Sequence, residues 1–465
     1  MSELSAIILA AGQGKRMLSS LPKVLHLAAG RPLLCYPIRV AERLGVRRVV
    51  VVVSPESEAA ISEVLARAFP ELDIVIRVQR EARGTGDAAR VGVAAIDAPK
   101  TVILYGDTPL VRPSDVAELV DALGENDCPL AFLSAIVSEP RGYGRVLRDA
   151  RGRVTMIREH RDLEGPAELA VNEVNAGVYV AETAELVSAL GRLSPENAQG
   201  EYYLTDIVAD RARERHVVAV KGAADALVGV NDRAQLRQAE QLLWARKSIE
   251  LGQSGVTIRG EVYVDDSVSV EADAVLEPGV RLRGATSVGA GAFVDVGCVV
   301  TDSKIHAGAE LLPYSVVTGS EVFGGAHVGP FSHLRPGSTL EAGAKVGGFV
   351  ETKNARLRPG AKANHLAYLG DADIGERVNV GAGVIVCNYD GFRKHRTTIG
   401  ADTFIGSDSQ LIAPVTIGKN AYVATATSVT HDVPDDALAI GRTRQQNKPG
   451  YASALKERLA QAAKK

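Results

Sequence analysis

Between Val264 and Val300 the chain reads VDDSVSVEADAVLEPGVRLRGATSVGAGAFVDVGCVV, and Val264, Val270, Leu276, Leu282, Val288, Val294 and Val300 stand six residues apart. The step resumes as Ile305, Leu311, Val317, then as Val322, Val328, Leu334, Leu340, Val346. It returns again as Ile374, Val380, Val386, and finally as Ile399, Ile405, Leu411, Ile417, Val423, Val429. Six is a multiple of the two-residue strand period and fits neither the 3.6-residue helix nor the heptad. One inward aliphatic residue in six, with Gly, Ala, Ser and Thr at the corners, predicts a parallel β-helix built of hexapeptide repeats. Valines spaced by chance in a β-sandwich would not recover the step after three slips. The step breaks between Val346 and Ile374 and between Val386 and Ile399, where outward loops at a binding face are expected. Those intervals hold His365, Tyr368, Asn388, Tyr389, Lys394 and His395.

At 465 residues the chain is too long for one ordinary core, so two or three domains are expected. A hydrophobic content of 46% with 23% charged residues describes a globular protein. The formal charge of −3 provides no net basic footprint for nucleic acid. The tail with Lys456, Arg458, Lys464 and Lys465 is a short charge run of the solvated kind. Cys35, Cys128, Cys298 and Cys387 are scattered without a CxxC pair, which disfavours a disulfide framework or zinc site and suits a reducing, cytoplasmic compartment. The apolar run 6–11 is too short for a signal sequence, and nothing approaches the roughly 20 apolar residues of a membrane span.

Residues 1–230 alternate strand candidates (5–9, 48–53, 73–78, 101–105, 129–136) with helical segments (57–68, 87–96, 113–123). Apolar strands separated by helices imply a mostly parallel, Rossmann-like sheet covered on both faces, with ligands beyond the carboxyl ends of its strands. Motifs fall at those ends. Leu9-Ala10-Ala11-Gly12-Gln13-Gly14-Lys15-Arg16-Met17 follows the first strand. Its glycines let backbone N–H groups close on an anion, and Lys15 and Arg16 add charge. It matches neither the GxGxxG fingerprint nor the P-loop, and a plain tight turn stays open. Lys23 would add a cation or simply be solvated. Gln79 followed by Gly84-Thr85-Gly86 makes a site for a base edge or phosphate, or an ordinary capped loop. Gly106-Asp107 ends another strand, where a carboxylate serves equally as Mg²⁺ ligand or helix cap. Residues 231–251 read as a linker helix, and 252–465 as the β-helix with its tail.

Leu9–Met17 with Leu21–Leu25, Gly84–Gly86, Tyr105–Asp107, Gly200–Asp206, Asn388-Tyr389-Asp390-Gly391 and the hexapeptide half together resemble the bifunctional bacterial GlmU family over about residues 4–451. Members are N-acetylglucosamine-1-phosphate uridylyltransferases joined to glucosamine-1-phosphate N-acetyltransferases. The resemblance implies a left-handed β-helix and synthesis of UDP-N-acetylglucosamine for peptidoglycan and lipopolysaccharide precursors. It further implies a homotrimer with acetyl-transfer sites between neighbouring β-helices.

It places Leu9, Ala10, Ala11, Gly12, Lys23, Gln79, Gly84 and Thr85 on the uridine nucleotide, and Tyr105, Gly106, Gly144, Glu159 and Asn175 around the sugar phosphate. Asp107 and Asn231 would coordinate Mg²⁺, while Arg16 and Lys23 neutralise charge. In the second half His365 is the implied base that deprotonates the amine, and it alone of the nine histidines has that support. Arg335, Lys353, Tyr368, Asn379, Asn388 and Tyr389 would hold glucosamine-1-phosphate. Ala382, Ser407, Thr425 and Arg442 would meet acetyl-CoA, with Ser407 or a backbone N–H beside it stabilising the oxyanion. Asp87 stands where the family commonly has histidine, Ala176 where it has threonine, and Thr425 where it has a small alanine. A lone nucleotidyltransferase with an oligomerising solenoid, and a non-enzymatic scaffold, are the competing alternatives.

Overall fold

The structure, a computed structural model, describes residues 3–125, 128–227 and 229–463, so Lys464 and Lys465 lie outside the described residues. The chain divides into two compact units, Met1–Ile249 and Glu250–Lys465. The helix Arg233–Gln253 runs across the division in sequence.

In the first unit the central sheet has the order Val218–Lys221, Leu130–Ile136, Glu173–Glu182, Lys100–Tyr105, Leu4–Ala10, Val49–Val53, Ile74–Val78. All neighbours on this path pair in parallel except Glu173–Glu182, which runs antiparallel to both its partners. Strand Leu4–Ala10 is buried throughout. Alternation splits it between two cores: Ala6 and Ile8 pack with Val49 and Val51 on one face, Ile7 and Leu9 with Val50 and Val52 on the other. Helices Glu58–Ala68, Thr85–Val93 and Pro113–Glu125 fall close to the expected segments. The hairpin of Arg145–Arg148 and Val154–Arg158, hung on Glu173–Glu182, is an addition that period alone does not reveal.

Chain order reverses on either side of Leu4–Ala10: the next strands in sequence lie to one side and Lys100–Tyr105 to the other. This is the switch point at which a crevice opens beyond the strand ends. Leu9 and Tyr105 are in register there, and the Gly106 N–H donates to the Leu9 carbonyl at 2.9 Å.

The second unit is a left-handed parallel β-helix of three sheets with 11, 10 and 9 strands, every one paired in parallel. Val264 pairs with Leu282 and Leu282 with Val300, so residues one coil apart stack and the six-step residues fill one continuous interior from Leu251 to Val433. Tight corners put non-glycine residues in the left-handed region, including Asp273, Asp302, Asn354, Asp371 and Asn420, types that tolerate it best.

One expectation fails. The interval between Val346 and Ile374 holds no insertion, because Thr352, Leu357, Ala363 and Leu369 take the inward slots, each fully buried. A polar and a small residue in the register, with two five-residue steps, hid the repeat. Thr352 avoids an orphan hydroxyl by donating to Ser338 Oγ at 2.8 Å. The second interval is a true loop: Ile374 pairs with Ile399 across 25 residues, where Leu357 to Ile374 takes 17.

The interior ladder sets a stability expectation. Leu340 is fully buried, and Leu340→Ala should cost about 2–5 kcal/mol in urea unfolding of the intact chain, the range for cavity-forming leucine truncations.

Candidate functional site

In the first unit, Leu9–Gln13, Lys23, Gln79, Gly84, Thr85, Tyr105, Asp107 and Glu201 line a cleft of about 380 Å³ over the switch point. Gly14 adopts φ +59°, and a Cβ there would come within 2.6 Å of Lys23 Cβ, so the loop's close approach to Lys23 requires glycine. Lys23 donates to Asp107 Oδ2, and also to Asn231 Oδ1 at 3.2 Å. Two residues 124 positions apart therefore converge on one ammonium. Their pocket is held from the backbone too, since the Val230 N–H donates to the Asp107 carbonyl at 2.9 Å.

That convergence tests a divalent site. A carboxylate and a carboxamide oxygen, both hard donors, already share one cation, which is the donor chemistry Mg²⁺ takes. Among the described residues no group of three or more His, Cys, Asp or Glu gathers at one point, so the remaining ligands of a cation here would come from phosphate and water.

The sugar-side residues gather separately. Glu159 accepts from Thr205 Oγ1 at 3.0 Å, Asn175 Nδ2 donates to Tyr179 OH at 2.7 Å, and the Asn175 N–H donates to the Gly144 carbonyl at 3.0 Å. Burial, with Asp206 and Asp162 nearby, raises the Glu159 carboxyl above its ordinary range. Burial and the charge of Glu159 also push the Tyr105 phenol up, so it stays a neutral donor. Arg16 is exposed and its side chain does not line the cleft. Gln13 and Glu201 also line it; both fall inside motifs singled out in the sequence, but neither has an expected role of its own there.

In the second unit, register arranges the predicted residues by itself. Lys362 pairs with Asn379, Asn379 with Phe404, and Phe404 with Tyr422. Three residues beyond each lie His365, Ala382, Ser407 and Thr425, one corner of four successive coils, about 4.8 Å apart. His365, Ser407 and Thr425 are exposed, and Arg442 Nη1 reaches the Thr425 carbonyl at 2.6 Å. Lys353 and Tyr368 occupy another sheet, Arg335 directly follows a strand of that sheet, and Arg335 Nη1 donates to Glu351 Oε1 at 2.8 Å.

Lys394, from the true loop, stands against Lys353 and holds its ammonium below the ordinary lysine value; Arg335 adds to the effect. Cations within electrostatic reach of one another raise the local positive potential. Asn388 Nδ2 donates to Asp371 Oδ2 at 2.6 Å and Asn354 Nδ2 to Asp371 Oδ1 at 2.7 Å, so Asp371 secures the root of the loop. Tyr389 is exposed on it. Inside the loop His395 donates to Asp390, which with the backbone N–H groups of Arg393 and Phe392 lowers that carboxyl to about 2. Asn379 belongs to a different sheet from Arg335, Lys353 and Tyr368, so one chain does not bring all six sugar-site residues to one face.

Burial pushes Asp206, which opens the helix Asp206–Ala212, up to about 6, and Asp162 adds to the rise. A raised carboxyl means the fold keeps a proton that the unfolded chain releases. The contribution is therefore intact below about pH 4 and is lost as pH rises through 6. Asp206→Asn should match the parent in thermal unfolding near pH 4 and exceed it at pH 7.5 by about 1 kcal/mol, after discounting for partial exposure.

A family model for the MobA-like NTP transferase domain matches residues 6–169. The bifunctional protein GlmU of Sorangium cellulosum (strain So ce56) is 55% identical, covering 99% of this chain and 98% of that protein. The proteins of the same name from Trichlorobacter lovleyi and Anaeromyxobacter sp. (strain Fw109-5) are 44% and 46% identical, covering 98% and 97% of this chain and 98% and 93% of their own lengths. Similarity of that degree along both the cleft-bearing sheet and the β-helix establishes that the chain belongs to the bifunctional GlmU family.

Proposed function

We propose that the chain makes UDP-N-acetylglucosamine in two steps: acetyl transfer from acetyl-CoA to glucosamine-1-phosphate, then uridylyl transfer from UTP to N-acetylglucosamine-1-phosphate. What carries this is the corner column of the β-helix. An exposed histidine heads a track of small residues, and the same β-helix carries Lys353, Lys394 and Arg335 within electrostatic reach of one another. No packing need accounts for that set. Membership of a family whose members are named bifunctional supports the pairing with the cleft.

In the acetyl step, His365 takes a proton from the amine as its nitrogen attacks the thioester carbon. The C–S bond then breaks and the coenzyme thiolate leaves. Ser407, next but one along the column, is placed to donate to the oxyanion. Arg335, Lys353 and Lys394 hold the sugar's phosphate, and Tyr368, Asn388 and Tyr389 its ring. Ala382, Thr425 and Arg442 bind the coenzyme.

In the uridylyl step, a sugar-phosphate oxygen attacks the α-phosphorus, and pyrophosphate leaves with the electrons of the broken P–O bond. No protein nucleophile is needed, so the cleft contributes position and charge. Lys23 and the N–H groups of Leu9–Gly12 meet the phosphates, Gln79, Gly84 and Thr85 the uridine, and Glu159, Asn175 and Gly144 the sugar. Asp107 and Asn231 would hold Mg²⁺, which neutralises phosphate charge when bound. The substrates place both reactions in the cytoplasm.

The working form we propose is a homotrimer. Tyr314, Phe331 and Phe349 stack at 5.4 and 5.5 Å between ring centres on one corner, in the left-handed region, yet are 52%, 49% and 65% exposed. Leu366, 60% exposed, continues the ridge beside His365. Bulky side chains are disfavoured in that backbone region and in water, and a second copy of the β-helix would cover them. It would also bring an Asn379 to the face that carries Arg335.

Three outcomes are expected. His365→Ala loses acetyl transfer by about 10²–10⁴-fold, the usual worth of a general base, with uridylyl transfer unchanged. Asp107→Ala does the reverse, measured as pyrophosphate release. Unchanged acetyl transfer in His365→Ala would reduce the β-helix to an oligomerising module. Phe331→Glu with Phe349→Glu should convert a trimer to monomer on sedimentation and abolish acetyl transfer; a fully active monomer would overturn the shared site.

A further inference from the structure

We infer that Asp87 is a positioning residue that fixes the Gln79 amide so that the nucleotide cleft selects a pyrimidine with a ring N–H donor, a uracil rather than a cytosine. The inference rests on uridylyl transfer being the reaction of this cleft.

Gln79 follows the strand Ile74–Val78, lines the cleft and is 7% exposed. Its Nε2 donates to the Gly84 carbonyl at 3.1 Å and to Asp87 Oδ2 at 2.9 Å. A carbonyl and a carboxylate only accept, so the amide has one permitted orientation. The flipped amide would set Oε1 against both. With both N–H bonds engaged, the polar atom that Gln79 has left for a ligand is Oε1, an acceptor.

The two anchors are themselves held. Asp87 lies in the first turn of the helix Thr85–Val93, with Arg83 Nε 3.9 Å from its other oxygen. The Gly84 carbonyl also accepts from the Ala88 N–H at 3.2 Å. Gly84 has φ +104°, and a Cβ there would come within 2.6 Å of the Tyr202 carbonyl, so that corner requires glycine. The bond from Nε2 to the carboxylate is charge-assisted and the stronger of the two.

Uracil presents N3–H to such an acceptor. Cytosine presents a bare N3 lone pair, which repels Oε1 and leaves it desolvated without a partner. Sites built on a specific hydrogen bond reject the analogue that lacks it. A carboxylate in a first helical turn also complements the helix dipole. That role alone would change stability, and it would affect UTP and CTP equally.

The test is the ratio of kcat/KM for UTP over CTP in pyrophosphate release with N-acetylglucosamine-1-phosphate, for parent, Asp87→Ala and Asp87→Asn. Loss of the anchor in Asp87→Ala should lower the ratio about tenfold, chiefly through a higher KM for UTP. Asp87→Asn keeps an acceptor but can also pair with a flipped Gln79, so its ratio should fall about threefold. A ratio equal to the parent's in whichever variant folds overturns the inference, even if melting temperatures drop. A parent without UTP-dependent pyrophosphate release overturns the uridylyl reading and this inference with it; a selective parent with unselective variants supports both.

Discussion

Parallel stacking of coils mostly 17 or 18 residues long, one of them lengthened to 25 by its loop, is the constraint from which the acetyl-transfer half follows. Each coil can close only if its inward positions carry side chains that fill a narrow triangle, and each strand bonds only to the strand one coil away. Once that register holds, any outward or corner residue is repeated in a straight column at the coil spacing. His365, Ala382, Ser407 and Thr425 come from different coils and need no further device to line up. A solenoid thus converts a sequence interval into a distance. An extended ligand such as a pantetheine arm meets one residue per rung.

The nucleotide half obtains convergence differently. Its sheet reverses winding at Leu4–Ala10, so the loops after neighbouring strands diverge and leave a crevice lined by backbone N–H groups and strand-tip side chains. The polar atoms there are few, and each is held by another group. Lys23 joins Asp107 to Asn231, Asp87 and Gly84 hold Gln79, and Thr205 holds Glu159. Burial works on the same residues from the other side. It keeps the phenol of Tyr105 protonated and raises Glu159, so the surroundings of these two residues are less negative than their carboxylates alone would make them. An anionic substrate gains from that.

Electrostatics also separates the two halves. The cleft of the first unit balances cation against carboxylate, whereas Arg335, Lys353 and Lys394 crowd like charges on an open face. Crowded cations are tolerable here because Lys394 is exposed, Arg335 and Lys353 are half-exposed, and water and salt screen them. Their repulsion would be relieved by a bound anion. Asp371 and Glu351 limit the crowding without filling the site.

The chain by itself determined the class of both units. The six-step names the β-helix because only an interior that admits one side chain per face enforces that spacing, and apolar runs such as 49–53 can only be central strands. The motif residues after the strands were legible only as candidates, since a glycine loop there can be a plain tight turn and a strand-tip carboxylate a helix cap. Three things were not legible. Thr352 and Ala363 occupy inward slots without looking inward, because a neighbouring hydroxyl and a local narrowing make them fit. Lys23 joins Asp107 to Asn231, a pairing that only the family resemblance supplied, and Lys394 acts on Lys353, both across separations that no periodicity encodes. Asp87 looked like a mere departure from the family until the fold set it 2.9 Å from Gln79. Local pattern reports what a residue does for its own element, whereas partnership between elements exists only once the chain has folded, because distance along the sequence is no measure of distance in space.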